Sequence, residues 1–185
     1  NHVGGYTELK EYLRPSYNFD KLKYIAKQLT RNLNHIIDYN YYPIPETKNS
    51  NLKHRPIGIG VQGLANVFFE FGYSFDSDEA KQLNEDIFET IYFGSMEASM
   101  ELAKEREEII KEYKNKGNDE LKTKLNFIPE ELNRDQYLGS YSSFIGSPLQ
   151  QGKFQFDLWE HTMTDSRHNW SGLMNEIQKY GVRNS

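Results

Sequence analysis

The chain has 185 residues, a net charge of −5, no cysteine, 13 tyrosines and 11 phenylalanines. That length fits one domain or a piece of one, and a negative balance without a basic stripe argues against a general nucleic-acid binder. The absence of cysteine excludes a disulfide scaffold, a cysteine-ligated zinc and thiol redox chemistry within this chain. No run of about 18 apolar residues occurs, so no membrane-spanning helix is expected.

The N-terminus has neither an initiator Met nor a signal-peptide pattern, which predicts an internal piece or a processed chain. Residues 1–18 read as loop, broken by Gly4-Gly5 and Arg14-Pro15-Ser16. Asp20 is placed to cap a helix over 20–39 with an apolar face of Leu22, Ile25, Leu29, Leu33, Ile36 and Ile37. His35 and Asp38 stand three apart, which allows a metal or proton-relay pair; a surface hydrogen bond is the simpler expectation. Asn40 ends the helix, Tyr41 to Pro45 is held extended by its prolines, and 46–53 reads as polar loop.

His54-Arg55-Pro56-Ile57-Gly58-Ile59-Gly60-Val61-Gln62-Gly63-Leu64-Ala65 is the densest pattern in the chain. Over 55–61, Ile57, Ile59 and Val61 alternate with Gly58 and Gly60, which predicts a short strand. Two glycines on one face either admit a close backbone or ligand, or simply make room for a packed helix. The G-x-G-x-x-G spacing of Gly58, Gly60 and Gly63 is not a dinucleotide fingerprint, because the glycines begin inside the strand and no acidic residue on a following strand can be identified. Leu64, Val67, Phe68 and Phe71 then fall at helical spacing over 62–71, and Gly72 is the stop.

Ser77 should cap a long helix over 77–112 with Leu83, Ile87, Ile91, Ala98 and Leu102 inward, and Gly94 and Ala98 admitting a neighbouring helix. From Ala103 charge dominates, and Gly117-Asn118-Asp119 is a break. Residues 126–146 show no period, so about 104–140 reads as a surface insertion. Phe154, Phe156 and Leu158 alternate as a short extended segment. Asp157, His161 and Asp165 are spaced by four, but they make an incomplete metal set and read better as polar loop. A last helix over 169–180 should bury Trp170, Leu173 and Ile177 and end at Gly181.

Several blocks together resemble the large subunit of class I ribonucleoside-diphosphate reductase, in its eukaryotic form. They are Arg31-Asn32-Leu33-Asn34-His35-Ile36-Ile37-Asp38 with Tyr41-Tyr42-Pro43, the stretch His54 to Ala65, Ile87 to Tyr92 with Met96 to Ser99 and Leu102 to Glu105, and Gly146-Ser147-Pro148 to Gly152. A last block, Trp170, Leu173, Gly181, Val182, Arg183 and Asn184, looks like the start of that family's signature. The resemblance covers nearly the whole chain outside about 104–140.

The resemblance implies a mainly helical fragment of a ten-stranded α/β barrel. Residues 55–61 would be a wall strand, with Arg55, Gly58, Gly60 and Gly63 as structural positions and the glycines facing a crowded interior. It also implies an oxidoreductase that makes 2′-deoxyribonucleoside diphosphates for DNA replication by thiyl-radical chemistry. In that chemistry one cysteine carries the radical and two more supply the reducing dithiol. By motif order the cysteine-bearing loop lies before residue 1, and the loop that grips the substrate phosphate lies after Ser185. No catalytic residue and no metal ligand is therefore assigned to this chain, which is expected to be inactive alone.

For the full-length subunit the resemblance implies allosteric ATP and deoxynucleotide effectors bound earlier in the protein. It further implies a thioredoxin-type reductant, a small radical-generating partner subunit and a cytoplasmic location, with no nucleic acid or membrane partner. A fragment lacking its barrel neighbours should self-associate. The competing reading is a stand-alone helical interaction module. An all-helical carboxylate metal protein would need Glu-x-x-His pairs, and none is present.

Overall fold

Two long helices set the frame. In the computed structural model, which describes residues 16–116, 129–159 and 166–185, α1 (Phe19–Tyr39) lies parallel to the middle of α4 (Asp78–Lys116). Lys23 pairs with Glu97 at 3.1 Å, Lys27 with Glu97 at 2.9 Å and Glu101 at 2.6 Å, and Arg31 with Glu101 at 2.8 Å and Glu105 at 3.0 Å. The partners climb both helices together, four residues at a step, which fixes the parallel orientation. Small residues let the backbones meet, as expected at Gly94 and Ala98. A Cβ added at Gly94 would stand 2.9 Å from the Lys23 carbonyl oxygen and 3.2 Å from the Ala26 Cβ.

This close approach rotates α1 away from its predicted apolar face. Its buried residues are Ala26, Thr30, Asn34 and Ile37, while Ile25, Leu29 and Ile36 stay 42%, 42% and 55% exposed. The small side chains face α4 because only they fit between the two backbones. The cap is Asn18, whose side chain accepts from the Lys21 N–H at 2.8 Å; Asp20 sits inside the first turn.

The segment expected to be polar loop after Ile44 is instead α2 (Pro45–His54). Pro45 stands at the first helical position, where its fixed φ favours the turn and its missing N–H costs nothing. α3 (Leu64–Phe71) begins after Gly63 at φ 81° and stops at Gly72, φ 70°, as expected. The Ser77 hydroxyl caps α4 by accepting from the Ala80 N–H. α4 runs past 112 to Lys116, with Lys111–Glu107 and Lys116–Glu112 ion pairs along its exposed end.

Short α5 (Pro129–Leu132) and α6 (Gln155–Leu158) precede α7 (Trp170–Tyr180). The extended segment expected at 154–158 is this helical turn, because the Asp157 carboxylate accepts from the Phe154 N–H at 2.8 Å and closes it. α7 buries Trp170, Leu173 and Ile177 and ends at Gly181, as expected.

The core has two parts. Ala26, Phe68, Ala80, Leu83, Ile87 and Ile91 join α1, α3 and the first half of α4. Phe93, Met100, Tyr141, Phe144, Phe154, Trp170, Leu173, Ile177 and Val182 join α4 to α7 and the loops before it. No strand is formed among the described residues, so the ladder expected at 55–61 is reduced to a single pairing described below. The alternation survives in burial only as far as Gly60: Ile57 and Ile59 are half-buried and Gly58 and Gly60 exposed, but Val61, expected on the side of the isoleucines, is exposed as well, because no neighbouring segment covers it. The crowded interior expected at the two glycines is absent here, since a Cβ added at either meets no atom within 4 Å.

The stretch 104–140 is superficial only in part, because Ile110, Glu131, Leu138 and Ser140 are buried. Gly139 lies so tightly on α4 that an added Cβ would fall 1.8 Å from the Ala103 carbonyl oxygen. The expected loop at 1–15 and the break at 117–119 lie outside the described residues.

Gly139→Ala should therefore destabilise the chain by about 1–3 kcal/mol through forced separation from α4. Gly58→Ala, which meets open space, should change stability by less than about 0.5 kcal/mol. Urea denaturation of the two variants checks both; similar midpoints would contradict the packing described for Gly139.

Candidate functional site

Arg55 follows α2 in the left-handed conformation, φ 48°, with its N–H on the Asn51 carbonyl at 2.8 Å. That turn sends a guanidinium into the protein, where Arg55 is only 1% exposed. Non-glycine residues adopt this backbone at a cost of roughly 1–3 kcal/mol, so the surroundings must hold it. They do so through α1. Nε and Nη2 donate to Asn34 Oδ1 at 3.0 and 2.9 Å, and Nη2 also donates to the Asn34 carbonyl at 2.8 Å. Nη1 and Nη2 meet the two oxygens of Asp38, each at 2.9 Å, in the planar fork that only Arg offers a carboxylate.

The Arg55 carbonyl faces the C-terminal segment. It accepts from Asn184 Nδ2 at 3.2 Å and from the Ser185 N–H at 3.3 Å, and the Ile57 N–H donates to the Ser185 carbonyl at 3.3 Å. Residue 185 thus bonds to both neighbours of Pro56, which is the rung of a parallel ladder. Ser99 on α4 fixes the same segment. Its carbonyl accepts from the Arg183 N–H at 2.9 Å, and its hydroxyl accepts from the Asn184 N–H at 2.9 Å. Asn184 Nδ2 also reaches Asn34 Oδ1 at 3.3 Å, so α1, α4, the turn at 55 and residues 183–185 share one buried polar network.

A second buried cluster adjoins it. Glu131 of α5 accepts from Arg106 Nη2 at 2.7 Å and from Arg183 Nη1 at 2.5 Å, and Arg183 Nη1 also donates to the Gly139 carbonyl at 3.2 Å. Burial would raise the Glu131 carboxyl, but the flanking guanidiniums of Arg183 and Arg106 outweigh it and hold the group below its usual range. Burial pushes Arg183 down to about 10 against the pull of Glu131, which leaves it cationic at neutral pH. Residues 141–143 close the junction: Tyr141 N–H donates to the Val182 carbonyl, Ser142 N–H to the Lys53 carbonyl, and His54 Nδ1 lies 2.8 Å from the Ser143 hydroxyl.

Of the residues singled out in the sequence, Arg55, Arg183 and Asn184 meet at this junction. Gly181 stands just before it, at φ 75°, where an added Cβ would fall 2.7 Å from the Ser140 Cβ. Trp170 and Leu173 belong instead to the aromatic core, where Trp170 Nε1 donates to Glu89 at 2.9 Å. Gly60 lines an open apolar groove of about 230 Å3 with Ile25, Leu29, Ile59, Val61 and Val67. Asp38 serves Arg55, so neither the surface hydrogen bond expected with His35 nor the alternative relay or metal pair is formed. Asp157 caps α6, and His161 and Asp165 lie outside the described residues.

Sequence reasoning missed Asn34, Ser99, Arg106 and Glu131 as members of the junction. The one signal for Asn34 and Ser99 was their place in blocks that resemble the family, since each lies off the apolar stripe expected of its helix. Among the described residues no group of three metal-ligating side chains comes together. The network's hydrogen bonds hold the turn at 55, α1, α4 and residues 183–185 in register.

A family model described as the barrel domain of ribonucleotide reductase matches residues 5–185. The ribonucleoside-diphosphate reductase large subunit of Caenorhabditis elegans is 45% identical over 179 residues, which is 96% of this chain and 18% of that protein. The large chain of Schizosaccharomyces pombe is 43% identical over 169 residues, 91% of this chain and 17% of its own length. The large subunit of Acanthamoeba polyphaga mimivirus is 43% identical over 173 residues, 92% of this chain and 16% of its own length. The chain thus spans about a sixth of the length of these relatives.

Arg55→Met keeps the volume but leaves Asp38 and Asn34 without their donor, and should cost about 3–5 kcal/mol in urea denaturation. Glu97 and Glu131 add a pH dependence. Burial raises the Glu97 carboxyl, but the hydrogen bonds and charges of Lys27 and Lys23 outweigh it and leave the group lowered. Carboxyls lowered by folding stabilise the native state above their ordinary value of 4.5, and that stability is lost as the pH falls through the lower folded-state values. Stability should therefore fall steeply below pH 4.5, and less steeply in Glu131→Gln; equal slopes would contradict the assignment.

Proposed function

The chain belongs to the ribonucleotide reductase barrel-domain family, and from that membership we propose that it is a wall segment of a ribonucleoside-diphosphate reductase large subunit. The observation that supports this most is the parallel pairing of Arg55–Ile57 with Ser185, because it joins two of the stretches that resemble the family. On this reading residues 1–185 are one piece of the ten-stranded barrel, 55–61 is a wall strand, and α1, α3 and α4 form the outer layer. The stretch 104–140 is an insertion into that layer.

The full-length subunit reduces ribonucleoside diphosphates to 2′-deoxyribonucleoside diphosphates for DNA synthesis. The radical and the reducing dithiol reside on cysteines elsewhere in the subunit, since this chain has none. Its own residues supply position. Arg55, Asn34 and Asp38 anchor the start of the wall, and Ser99, Asn184 and Glu131 anchor the segment that leads on to the substrate-phosphate loop. A small radical-generating subunit, ATP and deoxynucleotide effectors and a thioredoxin-type reductant belong to the complete cytoplasmic enzyme.

The exposed Ile25, Leu29, Ile36 and Val61 favour a second reading, a helical interaction module. The same face is what a barrel piece shows when its neighbours are missing. An open reading frame that extends beyond both ends into cysteine-bearing sequence separates the two.

Two outcomes are expected. The full-length subunit, with its small partner and a dithiol, should reduce a ribonucleoside diphosphate, whereas the 185-residue chain under the same conditions should not. Turnover by the chain alone, or none by the full subunit, would overturn the proposal. The isolated chain should also self-associate through its uncovered apolar face. Light scattering should show a dimer or larger species, and a monomer at high concentration would contradict the exposure of that face.

A further inference from the structure

We infer that Glu131 is a positioning residue for the segment that enters the substrate-phosphate loop, an inference that rests on the reductase reading above. Glu131 comes from the stretch 104–140 that the sequence marks as a surface insertion, yet it is 1% exposed. Its two carboxylate oxygens divide between Arg106 of α4 and Arg183 of the C-terminal segment. Two buried guanidiniums converge on one acidic group, and a buried cation without its counter-charge turns toward water.

The geometry gives that charge a direction of action. The Arg183 side chain is drawn to Glu131 and the Gly139 carbonyl, while its N–H is held by the Ser99 carbonyl. These contacts fix the orientation of the peptide that follows. Asn184 and Ser185 then make the bonds to Ser99, Arg55 and Ile57 that set the parallel register. The loop carrying Glu131 is braced independently. Arg134 donates to the Ser140 carbonyl at 3.1 Å and to the Ser142 hydroxyl at 2.7 Å, and Gly139 is seated on α4. Glu131 is therefore a fixed post against which Arg183 is set. Loss of its charge displaces 183–185 and, with them, the residues that grip the substrate's phosphate.

The test uses the full-length subunit with its small partner. Glu131→Gln should raise the KM for a ribonucleoside diphosphate by about tenfold with a much smaller change in kcat, because misplacement of a binding loop acts on substrate positioning. Glu131→Asp, which keeps the charge on a shorter arm, should recover most of that loss. It carries the test, through a smaller KM rise, if the Gln variant does not fold.

Ile110→Ala is the structural control. Ile110 is fully buried one turn from Arg106, so its truncation destabilises the same helix without touching Arg183, and KM should stay at the wild-type value. An unchanged KM in active Glu131→Gln enzyme, or an equal rise in Ile110→Ala, would overturn the inference alone. An inactive wild-type enzyme would overturn the reductase reading and this inference with it.

Discussion

The arrangement depends on one buried cation. The Arg55 guanidinium has been taken out of water and must find its hydrogen bonds inside, and it finds them on Asn34 and Asp38 of α1. That demand fixes the left-handed turn after α2, places the Arg55 carbonyl toward Asn184 and Ser185, and so decides which backbone groups meet. A buried pair of this kind adds little net stability compared with a well-packed apolar substitute, but it is costly to break on one side. Its contribution is to specify one register among several that apolar packing alone would accept.

Around this point the structure divides its labour. Small residues bring α1 and α4 together, and the row of Lys and Arg against Glu along their edge sets the helices parallel and aligned. Partly exposed pairs of this sort are individually weak, so their value lies in the alignment. Aromatic packing around Trp170 holds α7 and the loops before it, and α7 delivers Gly181 to Ser185 to the junction. The apolar groove beside 59–62 is the face left over once these demands are met.

Much of the local structure was legible in the sequence. The caps at Ser77 and Gly72, the small pair at Gly94 and Ala98, and the inward residues of α7 follow from side-chain chemistry that acts over a few residues. The face of α1 did not follow. Period identifies an apolar stripe, but close helix approach selects for size, and Ala26 and Thr30 took the place that Ile25 and Leu29 were expected to fill. The strand at 55–61 was legible as alternation only, because a ladder needs partner segments and one rung is all that residue 185 supplies. The junction itself was half legible. Arg55, Arg183, Asn184, Asn34 and Ser99 all stand in recognisable blocks and Glu131 does not, but which of them meet is set across separations that no local pattern encodes.

The central claim is that the side chain of Arg55 sets the pairing between residues 55–57 and 183–185. Hydrogen exchange of individual amides in wild-type protein and Arg55→Lys tests it most directly. Lys keeps the charge but cannot bridge Asn34 and Asp38 with a planar fork. The account predicts that the Ile57, Asn184 and Ser185 amides lose protection together, while Gly72 and Tyr73 at the end of α3 and Gly181 at the end of α7 keep theirs. Unchanged protection at Ile57 and Ser185, or a uniform loss across all six amides, would contradict it.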